Sequence, residues 1–214
     1  MTAKTPRRAL IVIDVQNEYF TGNLQIEYPP VVDSLAHITH AMDAATTAGI
    51  PVIVIQQNSP ADGPAFAEGS DGWQLHPEVA RRHRDVLFLK PLPSAFSETG
   101  LSDWLQANQI DTLSVVGYMT HNCNDTTIKH AFDRGMAVEF LHDASGAVSY
   151  ANRAGYATAE EIHRVFAVVE QSRFAAVLST EEWVRCVASG EVPVREDILS
   201  SYRRAQVLRS AKAA

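Results

Sequence analysis

Short apolar runs recur along the chain, and between them apolar residues fall at helical spacing. ALIVI (9–13) and IPVIVI (50–55) are continuous apolar runs, as expected of strands buried on both faces. DVLFL (85–89), DTLSVV (111–116), MAVEFL (136–141) and FAAVLS (174–179) repeat the pattern. Val32, Leu35, Ile38 and Met42 mark a helix over 31–48, with Gly49 placed to end it. Leu101, Trp104 and Leu105 mark a short helix over 99–108. A further helix is expected over 124–134, closed by Gly135, and 151–171 reads as one long helix. Thr180 is expected to cap TEEWVRCVA, whose first-turn glutamates oppose the helix dipole. One more helix is expected around 196–208.

Uniformly apolar strands alternating with helices call for an α/β fold. The expected form is a three-layer α/β/α, Rossmann-like arrangement, with a six-stranded parallel sheet and helices on both faces. The segment 56–84 departs from the pattern. It is long and rich in Gly, Pro, Ser and Asp, and loops of that length often carry function. Nothing in the pattern splits the 214 residues into two domains.

Composition narrows the function classes. With 46% hydrophobic and 20% charged residues, the chain resembles an ordinary soluble enzyme domain. A net charge of −7 argues against a nucleic-acid partner. No apolar run approaches a membrane span, and the one near the N-terminus is too short for a signal-peptide core. Two distant cysteines form neither a disulfide framework nor a zinc motif, so a reduced, cytoplasmic protein is expected.

The candidate chemistry lies where the strands end. Asp14 closes the first run, Lys90 closes the third, and Cys123 follows the fourth at a predicted helix start. In open parallel sheets, ligands bind outside the carboxyl ends of the strands. An ammonium and a helix N-terminus favour a thiolate, and a carboxylate can serve as general base and then general acid. The turn YMTHNC can aim backbone N–H groups at one point as an oxyanion hole. These parts suit acyl transfer from a C–N bond through a thioester. Taken singly, each residue has a plain alternative: Asp14 as a loop anchor, Lys90 as a solvated charge, Cys123 as a small core residue.

Three segments, IVIDVQNEYF, LKPLPSAFSETGL and VVGYMTHNCNDTTIKHAFDRG, resemble the signature segments of the isochorismatase-like cysteine hydrolases. They occur in the family's order and spacing, and the likeness runs over about 9–180, leaving a helical tail at about 190–214. FAEGSDGWQLHPEV (66–79) together with GYMTHNC is most similar to the streptothricin hydrolase-like branch, a kinship that does not fix the substrate. The resemblance implies a six-stranded parallel sheet, assembly as a dimer or tetramer, and an Asp–Lys–Cys triad falling on Asp14, Lys90 and Cys123. It also implies a cis peptide at Tyr118–Met119, turning the Met119 N–H to join that of Cys123 as the oxyanion hole.

Cys123 argues against the branch that hydrolyses a vinyl ether without a cysteine. The Asp-x-His metal pattern of nicotinamidases is absent after the second strand, where Gln56, Gln57, Asn58 and Ser59 stand. Asp62, His76 and His83 match no metal-ligand spacing, so no metal or other cofactor is expected. Gln16, Phe20, Trp73, Phe96, Tyr118 and His121 are candidate substrate contacts. For Gln16 the alternative is a loop hydrogen bond, for the phenylalanines plain core, and for His121 a bond within the turn. The expected activity is hydrolysis of a small linear or cyclic amide. The rivals are an ureido or carbamoyl substrate with the same triad, and a non-catalytic or redox-responsive thiol protein.

Overall fold

Every residue of β1 (Arg8–Ile13) is buried, which only a central strand covered on both faces allows. The structure, a computed structural model, describes residues 5–213. Around β1 stand β2 (Val52–Gln57), β3 (Val86–Lys90), β4 (Thr112–Tyr118), β5 (Ala137–Gly146) and β8 (Ala176–Leu178). They form a six-stranded sheet in the order β3-β2-β1-β4-β5-β8, parallel throughout. β6 (Tyr150–Asn152) and β7 (Gly155–Ala157) form a separate antiparallel hairpin.

Alternate residues of the strands feed two cores, as the period of two requires. On one face Leu10, Val12, Val52 and Val54 pack against Ile38 and Met42 of α1 (Val31–Thr47) and Trp183 of α6 (Thr180–Ser189). On the other, Ile11, Ile13, Ile53 and Ile55 join Leu101 and Leu105 of α3 (Leu101–Ala107) and Ile128 of α4 (Asp125–Asp133). A short α2 (Pro77–Ala80) lies inside the 56–84 loop, and α5 (Ala159–Arg173) and α7 (Ile198–Ala213) complete the chain. The helix expected at 196–208 is α7. Among the described residues no helix is long and apolar enough to cross a membrane.

Three expectations are corrected. The long helix of 151–171 is instead the β6–β7 hairpin followed by α5. Thr158 and Glu161 form a reciprocal capping box that starts α5 there. Ser179, not Thr180, caps α6, in a second capping box with Glu182. Thr180 instead donates its hydroxyl to Asp143 Oδ1 at 2.8 Å. The fifth strand runs past residue 141 to Gly146, because the register against β4 shifts between Val115 and Gly117 and pairing resumes at Ser145.

Candidate active site

β1 has β2 on one side and β4 on the other, so the chain reverses its direction of strand addition between β1 and β4. That is the crevice where such sheets bind ligands. Asp14 leaves β1 there with a positive φ of 52°. Gly117, paired with Ile13, sits at φ 104°, and a Cβ on it would lie 2.1 Å from the Ile13 carbonyl oxygen. Only glycine lets β4 approach β1 this closely. The Tyr118–Met119 peptide is cis, and a π-helical turn over Thr120–Asn124 then carries Cys123 to the start of α4.

Lys90 ends β3, two strands from β1, and its long side chain spans the gap. Its Nζ lies 2.7 Å from Asp14 Oδ2, 3.3 Å from Cys123 Sγ and 2.5 Å from Gln57 Oε1. Asp14 and Lys90 are fully buried and Cys123 is 5% exposed. Burial raises the Asp14 carboxyl above the ordinary carboxylate range, although Lys90 pulls it back. Burial opposes the charge of Lys90, but its pairing with Asp14 and the thiol outweighs this and raises it. Cys123 is pushed up to about 12, first by burial and then by Asp14, against the pull of Lys90. Lys90 thus favours the thiolate, as expected, but burial and Asp14 outweigh it in the resting site. The thiol keeps its proton and has Asp14 within hydrogen-bond reach to receive it.

The candidate contact residues divide. Gln16 is fully buried and engaged throughout. Its Nε2 donates to the carbonyls of Gln57 and Trp73 at 3.0 and 2.8 Å, and its Oε1 accepts from the Gln57 N–H at 2.9 Å. It pins the 56–84 loop to β2. Tyr118 is a core residue whose hydroxyl bonds Ser34 Oγ at 2.8 Å. Phe96 lies in the same core as Cys123, against His130. Phe20 stacks on His76 at 4.2 Å. Trp73 keeps a buried Nε1 with no partner. His121 is half-buried with both ring nitrogens unpartnered, set edge-on to Tyr150 at 5.0 Å, and burial lowers its basicity.

Two residues went unread in the sequence. Tyr19, almost fully buried, lies in electrostatic reach of Cys123, Asp14 and Tyr150. Its position in NEYF, inside the first signature segment, was the available signal. Tyr150 was hidden by the helix expected there. Asp62, His76 and His83 are not brought together. His76 accepts from the Glu78 N–H to cap α2, His83 faces Asp85 at 3.5 Å, and Asp62 is exposed. Among the described residues no group of three potential metal ligands converges.

The isochorismatase domain family matches residues 8–182. The chain belongs to this family of hydrolases. A Burkholderia xenovorans LB400 protein, named only provisionally as an isochorismatase, shares 60% identity and superposes with a TM-score of 0.95, covering 97% of this chain and all of that one. Streptothricin hydrolase of Streptomyces noursei is 32% identical over 64% of this chain and 49% of its own length. Nicotinamidase of Escherichia coli is 27% identical over 67% of this chain and 85% of its own. Amide hydrolysis is thus found among the chain's relatives, and the six-stranded sheet is the family's fold.

Proposed function

We propose that this isochorismatase-family protein is a cysteine-dependent hydrolase of a non-peptide amide bond in a small molecule. One observation carries the reading: a buried lysine ammonium touches both a carboxylate, at 2.7 Å, and a thiol, at 3.3 Å, in the ligand crevice of the sheet. A structural thiol needs neither neighbour.

The chemistry follows from the protonated thiol. Cys123 Sγ attacks the amide carbonyl while its proton passes to Asp14, whose raised pKa makes it a better base than a free carboxylate. The Met119 and Cys123 N–H groups hold the oxyanion. As the C–N bond breaks, Asp14 gives the proton to the leaving nitrogen, and a thioester remains. Water then attacks the thioester, Asp14 takes its proton, and Sγ is reprotonated as the acid leaves. Lys90 keeps Asp14 ionised at the start and balances the charge as the proton moves. Tyr19 and Tyr150, in electrostatic reach of the thiol, and His121, edge-on to Tyr150, are the surroundings read for the acyl group.

The protein is expected to act in a reducing compartment, consistent with two free cysteines. It is also expected to act as a homo-oligomer. Val165 and Val168 of α5 and Val207 and Leu208 of α7 are exposed apolar residues of the kind subunit contacts cover.

The test is a panel of small amides, ureido and carbamoyl compounds with mass-detected products. An acyl adduct should appear on Cys123 and vanish in Cys123→Ala. Turnover that survives Cys123→Ala would overturn the mechanism. Turnover confined to ureido compounds would move the substrate class.

A further inference from the structure

Around the turn that carries Cys123, four buried polar side chains make a continuous series. Asn124 Nδ2 lies 2.8 Å from the Gly117 carbonyl and 2.8 Å from Ser145 Oγ. Ser145 Oγ lies 2.8 Å from Thr120 Oγ1, which lies 2.8 Å from His163 Nδ1. Thr120 and Asn124 are the first and last residues of the turn that carries Cys123, so the series clamps both ends of that turn. Ser145 arrives on the bulged extension of β5, and His163 arrives on α5.

The donors can be assigned from chemistry alone. A carbonyl only accepts, so the Asn124 atom facing Gly117 is its amide nitrogen, and that nitrogen also donates to Ser145. Ser145, accepting there, passes its own proton to Thr120. Thr120 passes its proton to His163. The opposite direction would leave the fully buried Ser145 hydroxyl without an acceptor among its bonds. His163 Nδ1 must therefore be bare and Nε2 must carry the proton.

We infer that Asn124, Ser145, Thr120 and His163 form one directed hydrogen-bond chain that sets the pose of the nucleophile's turn, with His163 as the positioning residue at its end. The inference deepens the proposed function, since it takes Cys123 as the nucleophile. The surroundings of His163 hold it to this role. Burial, with His142 and His121 adding to the effect against Asp143, pulls it down to about 4, so it stays a neutral acceptor at physiological pH. Tyr28 and His142 are its ring neighbours, at 5.6 and 6.4 Å.

Two measurements on the full chain test the inference. The first is the histidine tautomer by 15N NMR. His163 should show Nε2–H at pH 7 and remain so at pH 5. An Nδ1–H tautomer, or titration near the ordinary value of about 6.5, would overturn the chain. The second is alkylation of Cys123 by iodoacetamide, with Cys186 as internal control. His163→Ala and Thr120→Val should each slow Cys123 by about tenfold or more, the loss expected when a base is misplaced. His163→Asn, which returns an acceptor near the Nδ1 position, should recover most of the rate. The double variant should be no slower than either single one. Leu105→Ala, a core truncation in α3, supplies a destabilised control whose Cys123 rate should not change. Additive losses, or losses matched by Leu105→Ala, would overturn the inference. If no compound of the amide and ureido panel leaves an acyl adduct on Cys123, the nucleophile reading fails, and the tautomer alone then decides the hydrogen-bond chain.

Discussion

Arg8 opens β1 and meets Glu139 of β5; Asp14 follows the other end of the same strand and meets Lys90. Both ion pairs are buried. At the first, the Glu139 carboxylate is saturated. Arg8 Nη2 lies at 2.8 Å, Arg8 Nε reaches both oxygens at 3.0 and 3.1 Å, and Ser114 Oγ and Trp183 Nε1 donate at 2.7 and 2.9 Å. At the second, Asp14 has the Lys90 ammonium, with the Cys123 thiol and the Gln57 backbone N–H as its lesser partners. A saturated carboxylate fixes a structure. One left with an open lone pair can take a proton. The two ends of one strand separate structural from chemical use of the same residue types.

The largest effects come from breaking each pair. Asp14→Asn should lower turnover by about 10²–10⁴-fold, the range for loss of a positioned general base, at a smaller cost in stability than deletion of the side chain, because the amide oxygen still accepts from Lys90. Glu139→Ala should do the reverse. It strands a buried guanidinium and should cost about 3–5 kcal/mol of stability, while the folded fraction keeps its turnover. Denaturant melts alongside turnover on the best amide of the panel separate the two. Equal stability losses in both variants would erase the distinction.

How far this was legible in the sequence follows from the range of the signals. Asp14, Lys90 and Cys123 could be found because each ends or follows an apolar run, and strand ends are local features. Their shared placement at strand ends already pointed to one site, and the resemblance implied that they form a triad. Glu139 lay in plain view in MAVEFL, but its partner Arg8 is 131 residues away, and no periodicity pairs them. The β6–β7 hairpin was lost because AEEIHRVFAVV has so strong a helical pattern that it absorbed the residues before it. Gly155, and Thr158 three residues before Glu161, were the signs of a later start. Gln16 reads equally well as a ligand contact or a loop bond until the Trp73 carbonyl is placed beside it.

A smaller effect is the pH at which the active end fails. In the proposed mechanism activity needs Asp14 ionised. Burial raises its pKa, so the acid limb of the rate profile should lie above the ordinary aspartate value of about 3.9. Lys90 lowers that pKa, so Lys90→Met should move the limb further up while slowing the reaction. A limb at or below the ordinary value would mean that Asp14 is better stabilised than its surroundings indicate, and the contrast with Glu139 would weaken.

The finest comparison removes one uncharged partner from each end. Ser114→Ala takes one hydrogen bond from Glu139 and should cost about 1.5–3 kcal/mol, as bonds to charged groups do, with no change in turnover. Gln57→Met takes one acceptor from Lys90. Asp14 and Cys123 still face that ammonium, so the stability change should be smaller than for Ser114→Ala. The ammonium is then held only by the two groups that exchange the proton, and the change should register in the rate and its pH dependence. If Gln57→Met instead destabilises the fold as much as Ser114→Ala without touching the rate, Lys90 is anchored for structure, and the active end of β1 would resemble the saturated one.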